Sequence, residues 1–262
     1  MNKTDTQLAL IISHARSGTN YLQSILRNYE NFATAGEVFA PNNLVSSVWS
    51  QAILKEKYQL DGKDLIKVVR ENPIDTIAAL IEGRPQNKKT VVIKLFNGHI
   101  THDQFEEVVR RFDPICIFLD RVPIDAYISF CKALKTGKWI AADVTATKPK
   151  IRIKHFFRWR DRIENDLRTK ASICEEHGAN RLRLRYEVDL TRRRHDPTKR
   201  IVEKLEQAGV PAGKRVLYKT HQKQDKNWFY ARRIKNPVGF TLDCIRHGDP
   251  LLIKKRFNYS LH

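Results

Sequence analysis

The segment Leu8 to Leu26, LALIISHARSGTNYLQSIL, decides the fold of this chain. Leu8, Ala9, Leu10, Ile11 and Ile12 form a short continuous apolar run, the pattern of a strand buried on both faces. Tyr21, Leu22, Ile25 and Leu26 recur at helical spacing. Between strand and helix stands Arg16-Ser17-Gly18-Thr19, where Gly18 lets the backbone turn tightly and aims the first helical amides at one spot. Strand, tight turn and helix together make a phosphate-binding loop. The loop lacks the lysine of G-x-x-x-x-G-K-[ST], and with it the usual grip on a γ-phosphate and magnesium; Arg16 supplies the positive charge instead.

Outward from that loop, strands alternate with helices. Asn28 to Gly36 reads as a loop and Glu37 to Asn43 as irregular backbone entering a site rim. Leu44 to Leu60 and Pro73 to Ile81 carry helical periodicity, a helical insertion over about residues 44–85. Thr90 to Phe96 is the next strand. Thr101 and Gln104 form a capping box for a helix reaching Arg111, Ile115 to Leu119 is a strand, and Pro123 opens another helix. Ile151 to His177 reads as a long amphipathic helix, Leu182 to Tyr186 as a strand, and Asp196 to Ala208 as a helix stopped by Gly209. This alternation predicts a three-layer α/β/α domain with a central, mainly parallel sheet, spanning 1–262 and ending in a basic segment at about 220–262.

The 262 residues suffice for one substantial core, and 41% hydrophobic residues fits a globular protein. No stretch approaches the length of a transmembrane helix or a signal-peptide core, which points to the cytoplasm. Cys116, Cys131, Cys174 and Cys244 show no C-x-x-C pairing and read as reduced thiols rather than a disulfide framework or a zinc site. His99 and His102 lie three apart without a supporting ligand set, so no metal is expected. Forty-eight Lys and Arg against 29 Asp and Glu give a formal charge of +19, which favours polyanionic partners: an anionic acceptor, a membrane surface met peripherally, or nucleic acid. A basic proteome with solvated lysines accounts for the same excess.

At this point the chain resembles the PAPS-dependent sulfotransferases, in particular the bacterial carbohydrate sulfotransferases of the trehalose sulfotransferase type. These open with a strand followed by R-S-G-[ST], here Arg16-Ser17-Gly18-Thr19. A strand ending in Arg with a Ser eight residues later matches Arg121 and Ser129, and the continuation Lys132-Ala133, Thr136 and Trp139 is closer to the trehalose type. Gly36-Glu37, Lys94 in VVIKL, Tyr186-Glu187 in LRYEVDL and KQDKNW are further echoes, so the resemblance runs from about residue 8 to about 230. It implies the P-loop nucleoside triphosphatase-like sulfotransferase fold. It implies transfer of a sulfuryl group from 3′-phosphoadenosine 5′-phosphosulfate (PAPS, leaving PAP) to a hydroxyl of a carbohydrate or glycolipid, without a metal. The loop residues Arg16, Ser17, Gly18, Thr19 and Asn20 would then hold the phosphosulfate, and Arg121 with Ser129 the 3′-phosphate.

In such a reaction the protein positions the reactants and stabilises spreading negative charge, a task for Arg16 and the loop amides. The resemblance makes Glu37 the general base and Lys94 a contact to acceptor or leaving group. His14 and His99, expected in the rim and titrating near neutrality, are the reserve bases. Asp120 precedes Arg121 and is an expected ion-pair neighbour that would weaken its hold on phosphate. Trp139 and the Trp228-Phe229-Tyr230 cluster suit stacking on a base or sugar as well as core packing, and Arg192-Arg193-Arg194 reads as a solvated loop. Two rivals stand beside this reading: a nucleotide-dependent kinase on the same architecture, disfavoured by the absent lysine, and a basic nucleic-acid-binding protein.

Overall fold

The structure, a computed structural model, describes residues 7–139, 143–191, 196–216, 230–246, 257 and 259. The apolar run becomes β1 (Gln7–Ser13), and Gly18 leads into α1 (Thr19–Leu26). β1 lies inside a six-stranded sheet that also contains β2 (Phe32–Glu37), β3 (Val45–Ser46), β4 (Thr90–Phe96), β5 (Ile115–Asp120) and β6 (Arg181–Arg185). The order across the sheet is β3-β2-β4-β1-β5-β6, parallel throughout except for the β2–β3 pair.

Strand alternation explains why the run needed apolar residues at every position. Leu8, Leu10 and Ile12 face a core built with Val91, Ile93, Phe118 and the helices α2 (Val48–Tyr58), α3 (Gly62–Glu71), α4 (Pro73–Glu82), α5 (His102–Phe112), α6 (Pro123–Thr136) and α7 (Ile153–Glu176). Ala9 and Ile11 face a second core with Leu22 and Ile25 of α1 and Ile201 and Leu205 of α8 (Pro197–Gln207). Two cores on opposite faces make the expected three layers. A last helix, α9 (Pro237–Arg246), joins the first core through Phe240 and Cys244. The capping box of α5 is present, with Thr101 accepting from Gln104 N–H and Gln104 accepting from Thr101 N–H.

Three local expectations are corrected. The segment read as loop from Asn28 to Gly36 contains most of β2, whose FATAGE sequence is mostly small residues after Phe32 but gains its ladder between β3 and β4. The insertion holds a third helix, α3, started by Asp61, whose carboxylate accepts from Gly62 N–H. Tyr186–Leu190, after β6, forms a short π-helical turn. Among the described residues no helix is long and apolar enough to cross a membrane. The Arg192-Arg193-Arg194 run, Trp228-Phe229 and the KQDKNW segment lie outside the described residues.

Candidate active site

The carboxyl ends of β1, β4, β5 and β6 meet at one edge of the sheet, where ligands bind in open α/β folds. The turn after β1 is tight and strained: Arg16 has φ 71° and Gly18 φ 101°, both left-handed. Gly18 is required twice over. Besides its φ, a Cβ there would stand 2.3 Å from a ring carbon of Tyr186. Tyr186 thus covers the loop from the β6 side, a contact between residues far apart in sequence. Gly18 accepts from the N–H groups of Tyr21 and Leu22, and the amides of Thr19 and Asn20, at the helix start, have no intrahelical acceptor. They present the positive end of α1 to the cleft.

The side chains of Arg16, Arg121 and Ser129 come together. Arg16 Nε donates to Ser129 Oγ at 3.0 Å and its Nη1 to the Trp139 carbonyl, while Arg121 Nη1 donates to the Arg16 carbonyl at 2.7 Å. The Arg121 guanidinium also lies over the Tyr186 ring, 4.5 Å from its centroid. Two guanidiniums close together repel. Burial first, and then the Arg121 charge, lower the Arg16 pKa to about 10, so it stays charged at neutrality. Ser17 Oγ and Arg121 Nε are buried and find no partner among the described residues. Unanswered donors beside crowded positive charge fit an anion.

Asp120 does not weaken this cluster. It is fully buried, accepts from Arg183 Nε at 2.7 Å and Nη2 at 2.6 Å, and accepts a bond from the Tyr259 hydroxyl. Adjacent strand residues point to opposite faces, which separates Asp120 from Arg121. Glu187 Oε1 accepts from Val122 N–H at 3.0 Å and thereby anchors the turn that carries Arg121.

A second cluster lies one strand over. Lys94 interrupts β4 on the face of Val92, the α1 side, and is 2% exposed. Its ammonium donates to Glu37 Oε1 at 2.8 Å and to Asn20 Oδ1 at 2.6 Å. Burial pulls the Lys94 pKa down, and the Glu37 charge and hydrogen bond oppose that shift. Asn20, expected among the phosphosulfate contacts, thus turns its amide oxygen to Lys94. Its position one turn from Arg16 makes α1 the link between the clusters.

The placement of Glu37 depends on a bulge. β2 pairs with β4 in register at Ala33 with Val91 and Thr34 with Val92, then slips so that Gly36 meets Ile93. The extra residue re-aims the chain, bringing Glu37 to the Lys94 face instead of the opposite one. Gly36 carries the slip with φ 97°, and a Cβ on it would stand 2.7 Å from the Val45 carbonyl oxygen.

The two reserve bases do not titrate near neutrality. His14 is buried against the edges of Trp159 and Phe257, and desolvation lowers its pKa to about 4. Desolvation and the Lys170 charge lower that of His99 to about 3. Trp139, 41% exposed, touches Phe130 edge-on and remains open on its outer face. Lys132 is wholly buried with its ammonium donating to the Val144 carbonyl at 3.2 Å, and Thr136 Oγ1 donates to the Lys132 carbonyl at 2.9 Å. These two residues of the family-like run therefore brace α6. No three His, Cys, Asp or Glu side chains are grouped to hold a metal among the described residues.

No family model matches the chain, and no curated protein matches it. Solved structures similar to it include two sulfotransferases. One is the sulfotransferase domain of the Synechococcus PCC 7002 olefin synthase, at 16% identity and TM-score 0.46 over 97% of this chain and 96% of that one. The other is mouse sulfotransferase SULT7A1 complexed with PAP, at 10% identity and TM-score 0.39 over 91% of this chain and 77% of that one.

Proposed function

We propose that this chain transfers a sulfuryl group from PAPS to a hydroxyl of a carbohydrate or glycolipid. The observation that carries the reading is the meeting of Arg16, Arg121 and Ser129 around the buried, unanswered donors Ser17 Oγ and Arg121 Nε, with a carboxylate–ammonium pair one strand away. The first cluster suits a nucleotide carrying two anionic groups; the second suits a hydroxyl that must lose a proton. When bound, PAPS supplies the sulfuryl group.

In this reading the amides of Thr19 and Asn20 and the Ser17 hydroxyl hold one anionic end of the nucleotide, and Arg121 with Ser129 holds the other. Arg16, which bonds Ser129 and belongs to the loop, sits between the two and offsets negative charge as it spreads. Glu37 takes the proton of the attacking hydroxyl. Its Oε1 is occupied by Lys94, which leaves Oε2 as the accepting oxygen. Lys94 orients the carboxylate, and Asn20 Oδ1 fixes the ammonium. The exposed face of Trp139 is available to stack on a sugar or base.

The test is incubation of the protein with ³⁵S-labelled PAPS and fractions of carbohydrate and glycolipid from cell extract. Label transferred to a glycan fraction, and lost in Glu37→Gln, supports the reading. Absence of transfer to every fraction, together with absence of PAP binding, would refute it.

A further inference from the structure

A groove of about 420 Å³ opens between Pro41 and Asn42, α3 and the start of α5. Its wall is charged by design of the helix: Lys63, Lys67 and Arg70 stand at i, i+4 and i+7, one face of α3. Glu71 is the single carboxylate on the wall, so three cations face one anion. The Arg70 guanidinium is held in place, its Nη2 donating to the Gly98 carbonyl at 2.9 Å and its Nε to the His99 carbonyl at 3.3 Å. Gln104 Nε2 donates to the Arg70 carbonyl at 3.2 Å, tying α3 to the capped start of α5.

The place of the groove in the sheet gives it a purpose. Pro41 and Asn42 lie four and five residues beyond Glu37, where β2 leaves the sheet; Gly98 and His99 lie four and five beyond Lys94, just past the end of β4. The groove therefore opens at the carboxyl ends of β2 and β4, on the flank away from β1 and β5 but on the sheet face covered by α3 and α5, opposite the α1 face that carries the Glu37–Lys94 pair. The cationic nucleotide cluster occupies the other flank. In the sulfotransfer reading, a chain of several sugars that offers a hydroxyl to Glu37 and passes over the carboxyl ends of β2 and β4 would reach α3.

We infer that the groove is the acceptor subsite for an anionic glycan, one bearing carboxylate or sulfate-ester groups that lie among Lys63, Lys67 and Arg70. The anion site stands on the groove alone; its role as acceptor subsite rests on the sulfotransfer reading. Its size is that of a pocket taking a small molecule or one end of a chain, and fixed cations on its wall select charged sugars over neutral ones.

Calorimetric titrations at physiological salt with short chains of hyaluronan (carboxylate only), dextran sulfate (sulfate ester only) and neutral dextran test this, alongside PAP-induced thermal shifts. Two double variants carry the same loss of charge: Lys63→Ala with Lys67→Ala in the groove, and Lys154→Ala with Arg158→Ala on the exposed face of α7 as control. The expected result is binding of at least one charged chain but not neutral dextran. The groove pair should weaken it about tenfold and the control pair less than about twofold, with the PAP shift intact in both. Which chain binds identifies the anion. Equal weakening by both pairs would show a diffuse response to the +19 charge and overturn the inference, as would equal affinity for neutral dextran or no binding of either charged chain. A groove-specific loss in a protein that PAP does not stabilise would leave the anion site standing and refute sulfotransfer instead.

Discussion

Glu37→Gln probes the buried Glu37–Lys94 pair in two independent ways. Gln keeps the size of Glu and offers Lys94 a carbonyl oxygen, but it removes the negative charge beside an ammonium that is 2% exposed. An uncompensated buried charge costs about 3 to 5 kcal/mol when one partner is deleted, and Glu37 itself is 17% exposed, which moves the expectation toward about 2 to 4 kcal/mol. Lys94 can escape that cost by releasing its proton, toward which burial already drives it. From an unfolded-state pKa of about 10.4, neutralisation costs about 4 to 5 kcal/mol at pH 7 and about 2 kcal/mol at pH 9, which sets a ceiling that falls as pH rises. The sign follows from the protons: in the variant the unfolded chain binds a proton at Lys94 that the folded chain has lost, so stability increases with pH up to the unfolded pKa. Urea denaturation of the wild type, Glu37→Gln and the double variant Glu37→Gln with Lys94→Met at pH 7 and pH 9 checks this. The single variant should be less stable at pH 7, recover at pH 9 whatever part of the loss exceeds about 2 kcal/mol, and regain most of it in the double variant. Turnover should fall about 10²- to 10⁴-fold in Glu37→Gln while PAP affinity changes little. A loss of stability above about 2 kcal/mol that is identical at both pH values, or none, would refute the buried pair; wild-type turnover would remove Glu37 as the base.

Gly36→Ala should mimic the catalytic defect without touching a polar group, because the Cβ meets the Val45 carbonyl oxygen at 2.7 Å and the bulge that aims Glu37 must shift; kcat should fall at least tenfold with the PAP dissociation constant unchanged. Arg121→Ala should weaken PAP by about one to two powers of ten in calorimetry, since a charged hydrogen bond contributes about 1.5 to 3 kcal/mol, and should leave a folded protein. Stability should decline as pH falls from about 6.5 toward 4: unfolded His14 takes up a proton in that window and folded His14, with its pKa lowered to about 4, does not. His14→Gln should reduce that slope in denaturation curves at pH 7, 6 and 5 and leave the part that His99, lowered to about 3, contributes in the same window; an unchanged slope would assign it to other groups.

Much of the architecture could be read directly from residue patterns. β4 has the expected bounds, and the capping box, the Pro123 helix start and the long helix α7 all left local signals. β2 did not, because FATAGE carries mostly small residues and its strand character comes from the partners on either side. α3 was missed although Asp61 caps it and Leu65 and Val69 are buried on one face; its glycine start and many charges obscured a period that was present. At the site, residue types were legible and pairings were not. The alternation of β5 already separates Asp120 from Arg121, a signal available in the sequence. The seating of Tyr186 on Gly18 and of Glu37 on Lys94 depends on contacts between distant strands and on a one-residue slip, and neither leaves a local mark. Burial of His14 and His99 also follows from packing between distant elements and leaves no local mark.

The central claim is that the clustered arginines and the loop after β1 together grip one nucleotide by two anionic groups. Thermal unfolding in the presence of PAP, ADP and AMP at equal concentrations tests it most directly, because a ligand that binds only the folded state raises the midpoint in proportion to its affinity. PAP should give the largest shift, and ADP and AMP, which lack the 3′-phosphate, distinctly smaller ones, with the advantage of PAP lost in Arg121→Ala. Shifts of equal size for the three nucleotides, or an advantage of PAP that survives in Arg121→Ala, would contradict the account.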